Sequence, residues 1–549
     1  MKQNPAPIKK AEGAVQSEGQ LQSWRLNVVM GALVFAVLAM ALSASIVATA
    51  IPVLTSHFHS TADIGWYGSA YLMASCALIP LAGKIYTLYD LKVGFLAYMT
   101  AFTVGSVICG AATSSNMLIA GRAIAGAGSS GIITGAMAII NASVTLDKRS
   151  CKLQCAVLVG IIQSLSGVGV VLGPIVGGAL TQHASWRWCF FVGVPVCGLA
   201  MLVVIVVPFP RRRKDGPSLE IMQKIRDLDL IGCAIFAPSV VLLLVALQWG
   251  GNKYRWGSSK VIGLFCGSGA TFIAFLIWEY YFGEKAMVPL HMLKRQVMAC
   301  GFTTNNFQMG GLMLITYYLP IWFQSVKDAS PTMSGVMTLP QSLSQIIFSI
   351  MSGWLVSRLG YYTPWAIVGS AFTALGTGLM LTFTPSTDAG KWIGYQILVG
   401  CGRGFVIQNV FTAAQADLPK ELEDIGSAFL VFAMFLGGAI FVALGETILS
   451  NALPTELAKY APGIPKSSIE QGLAASTLTK LPPSVAKSVK LAINNALIKT
   501  FYLALGGSVV GFLASWGLKW YNVKKRSPPI DMEGRHEKSS GQVRNVRSE

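Results

Sequence analysis

The chain has 549 residues, 53% hydrophobic and 12% charged, against about 25% charged in soluble domains, which excludes a water-soluble globular domain and places it among polytopic membrane proteins. The net charge of +18 would suit nucleic acid, but its distribution does not: with both termini cytoplasmic, 28 of 42 Lys and Arg fall in inner segments, 12 in outer ones, and two, Arg122 and Arg403, within apolar runs. This is the positive-inside bias of a membrane protein, so the basic clusters Arg211–Lys214 and Lys519–Arg526 read as topology signals and lipid contacts, with no nucleic-acid partner.

A membrane span needs about 20 apolar residues. Fourteen runs qualify, near residues 28–52, 65–83, 93–112, 118–140, 156–180, 189–208, 228–247, 259–280, 298–320, 335–357, 363–383, 392–414, 425–447 and 498–519. They divide the chain into an N-tail (1–27), six spans (28–208), a cytoplasmic linker with two inserted spans (209–296), six more spans (297–520) with a long outer loop (448–497), and a C-tail (521–549). The fold class is therefore all-α integral membrane. The polar first 26 residues precede an apolar run too long for a cleavable signal, so the first span serves as an uncleaved anchor. Ten cysteines lie in or beside spans and read as small packing residues. The Asn141-Ala-Ser143 sequon falls at an inner helix end and reads as unused.

In chain order, the first run reads ALSASIVATAIPVL from Ala41 to Leu54, without an ionisable group. Trp66, Tyr67 and Tyr71 follow on the second. Residues 83–92, GKIYTLYDLK, put Gly83, Asp90 and Lys92 at an inner turn; Asp90 is read either as a gating charge or as a solvated one. Arg122 lies in LIAGRAIAGAGSSGI. An intramembrane Arg costs at least about 2.5 kcal/mol at a helix centre, so it must face a cavity, a partner or backbone carbonyls. Gly126, Gly128 and Gly131 match G-x-G-x-x-G but lie inside an apolar span, where no dinucleotide site forms.

The run LSGVGVVLGPIVGGAL, Leu165 to Leu180, carries Gly169, Gly173 and Gly177 at every fourth position. On a helix they form one stripe that admits close approach of another helix, and Pro174 bends the helix beside it. Such a groove suits an interface that slides or rocks. Glu279, at an inner helix end, is expected to pair with a loop base. Asn305, Asn306, Gln308, Tyr317, Tyr318, Gln408 and Gln415, with Tyr67 and Tyr71, combine aromatic walls with a few polar groups, as ligand cavities do. Glu446, in FVALGETIL, is the best-placed acid within a late span; it either titrates in the cavity or reaches outer water. No His–carboxylate cluster or nucleophile elbow suggests an enzyme, a metal or a cofactor.

Several segments together resemble one family. DIGWYGSAYL, GRAIAGAGSSGI, LGPIVGGAL, SWRWCFFVGVP, YYLPIWFQSV, SPTMSGVMTLP and GCGRGFVIQNV are similar to fungal drug and mycotoxin exporters of the fourteen-span branch of the major facilitator superfamily. The resemblance spans residues 28–520. It implies two six-helix bundles around a midplane site, export of amphipathic molecules by proton antiport, and action as a monomer in the plasma membrane, with a vesicle membrane as the alternative. An importer on the same fold and a non-transporting sensor are the competing functions. Gly169, Gly173, Pro174, Gly177 and Gly178 resemble the antiporter motif, Arg122 the residue linked to proton transfer, and Gly83, Asp90 and Lys92 a degraded loop signature that locks the halves. Family members often carry an acid near the position of Ser43. Its absence here leaves the proton-carrying group to lie elsewhere, with Glu446 the candidate.

Overall fold

The computed structural model describes residues 23–58, 64–143, 149–207, 227–251, 253–419, 422–462 and 482–522. Its long elements are all helices. They are α1 (Ser23–Ser45), α2 (Val47–Phe58), α3 (Ile64–Leu88), α4 (Leu91–Gly110), α5 (Ser115–Ser143), α6 (Arg149–His183), α7 (Trp188–Phe191), α8 (Gly193–Val206), α9 (Leu230–Trp249) and α10 (Ser259–Phe282). The second part of the chain adds α11 (Leu290–Leu293), α12 (Gln296–Val326), α13 (Pro331–Met337), α14 (Leu339–Leu359), α15 (Thr363–Met380), α16 (Ala389–Asp417), α17 (Glu423–Tyr460) and α18 (Pro483–Ser515).

Among the described residues, eleven helices are long and apolar enough to cross a membrane, against the fourteen expected. The shortfall is α12, α14 and α15. Buried polar side chains such as Asn305, Asn306 and Gln308 on α12, and Gln341, Ser344, Gln345, Ser349 and Ser352 on α14, dilute the apolar signal. Helices shielded from lipid by neighbours can carry such groups, because hydrogen bonds inside the protein replace those to water.

The packing is repetitive. In the first part α1 packs on α6 and α8, and α5 packs between α3 and α4. In the second, α12 packs on α17 and α18, and α16 between α14 and α15. The two parts meet along α6 with α14 and along α3 with α17. Leu199, Leu202, Ile273, Ile277, Ile347 and Leu513 point outward from the assembly, as lipid-facing residues must.

Close helix approach in the first part depends on glycine. A Cβ on Gly126 would meet the Tyr71 carbonyl oxygen at 2.3 Å, and one on Gly128 the Phe102 backbone nitrogen at 2.3 Å. The three glycines of the G-x-G-x-x-G match therefore seat α5 on its neighbours.

The inserted pair is pinned to itself and to both parts. Ser239 and Ser268 exchange Oγ-to-carbonyl hydrogen bonds between α9 and α10, at 3.2 and 2.8 Å. Phe236 of α9 meets Phe432 of α17, with ring centroids 5.3 Å apart. Glu279 does not pair with a loop base. It is buried, and its Oε2 accepts from the Val288 N–H at 3.0 Å. Asp229 caps α9 nearby, accepting from Gly232 N, Trp278 Nε1 and Met287 N. The loop base Lys285 pairs instead with Asp227 at 2.9 Å.

Much of the expected outer loop 448–497 is helical. α17 continues to Tyr460 and α18 starts at Pro483; residues 463–481 lie outside the described residues. Lys499 holds Glu456 at 2.6 Å, which ties α18 to the α17 extension, and Lys490 pairs with Asp328 in the turn after α12. The tails 1–22 and 523–549 also lie outside the described residues, as do the side chains of Cys151 and Cys155. The other eight cysteines form no disulfide.

Candidate functional site

Arg122 is 1% exposed, buried among the helices of the first part. Its Nε donates to the Tyr67 carbonyl at 2.8 Å, and one terminal nitrogen (Nη1) donates to the Ser43 carbonyl at 2.9 Å and faces Ser43 Oγ at 3.4 Å. The guanidinium lies 4.5 Å from the centre of the Tyr71 ring. The remaining nitrogen, Nη2, has no hydrogen-bond partner. Carbonyl dipoles and an aromatic face thus hold the cation, where an acid at position 43 would have supplied a full counter-charge. Desolvated cation–π contacts contribute about 2 kcal/mol, and hydrogen bonds to a charged group about 1.5–3 kcal/mol each. Together they offset the burial cost.

Tyr67 and Tyr71 are not cavity walls. Both are buried among helices: the Tyr67 hydroxyl meets Ser115 Oγ at 3.0 Å, and that of Tyr71 donates to the Met40 carbonyl at 3.2 Å. Trp66 stacks edge-on against Trp249 at 6.4 Å. Tyr317 behaves differently. It is 41% exposed and within electrostatic range of both Arg122 and Glu446. Glu446 is exposed in the second half of α17. Tyr318, beside it, is buried.

In the second part, Asn305, Gln308 and Met309 of α12, Arg403, Val406 and Ile407 of α16, and Met434 of α17 line a small, partly open cleft. Arg403 is 8% exposed, and one terminal nitrogen (Nη2) reaches Met309 Sδ at 2.8 Å. Asn306 faces away, donating to the Ala433 carbonyl at 3.0 Å.

The remaining polar candidates lie between the two parts. Gln408 sits where α6 meets α14. A Cβ on Gly160 would come within 2.9 Å of Ser349 Oγ and 3.3 Å of Gln408 Oε1. Gln415 is half-buried and bonded across the two parts. Its Nε2 donates to Asn141 Oδ1 at 2.8 Å, and Asn141 Nδ2 approaches Asp424 Oδ1 at 3.4 Å. Asn141 therefore joins α5 to α16 and α17 at the inner face. Beside it, Gly83 lies so close to α17 that a Cβ would meet that of Ala428 at 2.5 Å.

Asp90 and Lys92 do not bridge the two parts. Asp90 caps α4, accepting from the Lys92 and Val93 N–H groups, while Lys92 Nζ donates to the Ile205 carbonyl at 2.7 Å, at the end of α8. Both act within the first part. Gly169 and Gly173 likewise do not face the moving interface. Their Cβ positions meet Ala41 Cβ at 2.8 Å and Ser45 Oγ at 1.9 Å, so the stripe seats α6 on α1 where α1 gives way to α2. Gly177 is buried and its carbonyl accepts from Thr181 Oγ1 at 2.6 Å; Gly178 has open space around it. Pro174 lies inside α6 beside this contact. On α6, Gly160 and Gly167 do face the other part, the latter 3.2 Å from Gln345 Nε2 at its Cβ position.

Sequence reasoning passed over Asn141, Asp424 and the Arg403 cleft. The Asn141 sequon drew attention to modification instead of packing. Arg403 was visible as an intramembrane charge, but its neighbours come from three helices distant in sequence.

The sequence matches the family description Major Facilitator Superfamily over residues 33–442. It is 42% identical to the MFS-type transporter pigP of Monascus ruber, over 92% of this chain and 88% of that protein. It is 40% identical to the efflux pump mlcE of Penicillium citrinum, over 94% of each. It is 41% identical to the MFS-type efflux pump MFS1 of Trichophyton rubrum, over 91% of this chain and 92% of that one. Among solved structures, the proton:xylose symporter XylE shares the fold with a TM-score of 0.61 at 13% identity, covering 92% of this chain and 98% of its own. Transport of small molecules across a membrane, without enzymatic chemistry, is the activity these relatives have in common. With its multi-pass all-helical fold and relatives along almost its whole length, the chain belongs to the major facilitator superfamily.

Proposed function

We propose that this protein exports amphipathic small organic molecules, a class that includes secondary metabolites and drugs, by alternating access coupled to proton influx. In this reading the spans number fourteen. Residues 28–208 and 297–520 form two six-helix bundles that rock against each other, and 209–296 forms an inserted unit between them. It acts as a monomer in the plasma membrane. The observation that carries the reading is the asymmetry of the two faces. At the end read as inner, Gly83 lies against Ala428 and Asn141 stands between Gln415 and Asp424. Toward the end read as outer, Tyr317 and Glu446 are exposed. We read the first as a closed gate and the second as part of a vestibule, as one arm of an alternating-access cycle requires.

Export is supported by the efflux pumps among the relatives. The fold alone does not set direction, since the symporter XylE shares it. Proton coupling needs a titrating group, and Glu446, in range of Tyr317 and Tyr318, is the acid assigned that role here; Arg122 supplies the fixed charge it works against.

The test is transport of a fluorescent amphipathic cation such as rhodamine 6G in proteoliposomes under an imposed pH gradient. Wild type should move dye opposite to the protons. Glu446→Gln should retain downhill flux while losing the response to the gradient. Dye movement in the direction of the protons would instead support an importer, and indifference of wild type to the gradient would end the antiport assignment.

A further inference from the structure

The cleft around Arg403 has an unusual donor balance. Three of its side chains are nine-tenths or more buried yet carry a nitrogen without a hydrogen-bond partner: Asn305 Nδ2, Gln308 Nε2 and Arg403 Nε. Asn305 and Gln308 are 2% and 6% exposed. Among the described residues, Arg403 forms no ion pair with a carboxylate. The sulfur of Met309, a weak acceptor, receives one of its terminal nitrogens. Buried polar groups are normally satisfied, and a buried cation is normally paired. Around these donors the walls are apolar: Val406, Ile407 and Met434.

Size limits what could complete the set. The free space among these side chains is only about 10 Å³, far below the roughly 300–1,000 Å³ of pockets that enclose a whole small molecule, so only the tip of one substituent of a larger ligand enters it. A planar guanidinium edge flanked by two amides matches a group with two acceptor oxygens and a negative charge, since Arg recognises carboxylates through parallel N–H···O bonds.

We propose that Arg403, Asn305 and Gln308 form a subsite that receives a carboxylate of the transported molecule, while the apolar remainder of that molecule lies in the cavity between the two bundles. The proposal rests on the transport reading for its ligand. It also bears on the charge of the membrane core: an anionic cargo would bring the counter-charge that the chain itself does not place against Arg403.

The experiment compares 1-naphthaleneacetate with 1-naphthaleneacetamide, which share ring and shape and differ in charge. Binding to the purified full-length protein is measured by quenching of intrinsic tryptophan fluorescence, in nanodiscs of neutral phosphatidylcholine. Wild type should bind the acid at least about tenfold more tightly than the amide, because charge-assisted bonds to a buried guanidinium exceed neutral ones. Arg403→Met should reduce this preference to twofold or less, and Gln308→Leu should reduce it partway. The net charge of +18 attracts anions to every variant, so a preference that survives Arg403→Met reflects general charge and overturns the proposal. Equal affinity of wild type for the two probes overturns it as well, and needs no variant to fold. Because the assay contains no gradient and no flux, a failure of proton-coupled export leaves its outcome unaffected, and an absent acid preference leaves the export test intact.

Discussion

Gly173 and Gly178 belong to the same glycine-rich segment of α6, yet the structure assigns them opposite tolerances. A Cβ on Gly173 would stand 1.9 Å from Ser45 Oγ, 2.9 Å from the Ile46 backbone nitrogen and 3.0 Å from Ser45 Cβ. The hydroxyl can rotate away. The backbone nitrogen and Cβ cannot, because they belong to the junction between α1 and α2. Gly173→Ala must therefore move one helix against the other, which costs about 1–3 kcal/mol as overpacking. At Gly178 nothing lies within 4 Å. There alanine meets no obstacle and gains up to about 1 kcal/mol of helix propensity over glycine. Thermal melting of the purified protein in one detergent, followed by tryptophan fluorescence, should place Gly173→Ala below wild type and Gly178→Ala at or above it. Because the contact lies within one bundle, the loss should register first as stability and surface abundance, with transport per molecule less affected. Wild-type melting of Gly173→Ala, or equal loss in both variants, would refute the assignment of the stripe to the α1–α6 contact.

Other expectations follow from the contacts between and within the bundles. Gly160→Leu, facing Ser349 and Gln408 across the interface, should cut efflux by more than it lowers surface abundance, the two measured together in cells. Paired cysteines in Asn141→Cys/Gln415→Cys should be bridged by a short bis-methanethiosulfonate reagent, stopping transport until a reductant is added; transport that continues in the cross-linked protein would remove this contact from the gate. Arg122→Lys should lose efflux despite keeping the charge, because one ammonium does not reproduce the guanidinium's separate bonds to the Tyr67 and Ser43 carbonyls; efflux at normal abundance would contradict this. Outside the spans, Lys519 is held above the ordinary lysine range by its hydrogen bond to Tyr521 and by Asp417, 3.6 Å away. A raised folded-state value means its contribution is fully present below about pH 10.4 and is lost as pH rises through the folded value. The melting difference between wild type and Lys519→Met should therefore be constant near neutrality and shrink only in strong alkali; a difference that changes between pH 6 and 8 would exclude this linkage.

Composition, the length of apolar runs and the Lys and Arg asymmetry were enough to read a polytopic helical protein from the sequence, because lipid leaves a spanning chain few choices. The same physics marked Arg122 and Arg403 as special, since a charge inside an apolar run demands compensation wherever it lies. Motifs carried the family for the same local reason: GRAIAGAGSSGI and LGPIVGGAL keep their spacing within one helix. Spacing did not reveal which neighbour each face meets. The stripe of Gly169 and Gly173 looked suited to a moving interface but seats α1, while Gly160 and Gly167, less conspicuous in sequence, meet the other bundle. Gln415 and Asn141 are 274 positions apart, and Asn305 and Arg403 belong to different helices around one cleft. Helix periodicity fixes which residues share a face. Only the packing of the helices decides what that face touches, and hence whether a buried polar group seals a gate, stabilises a bundle or remains available to a ligand.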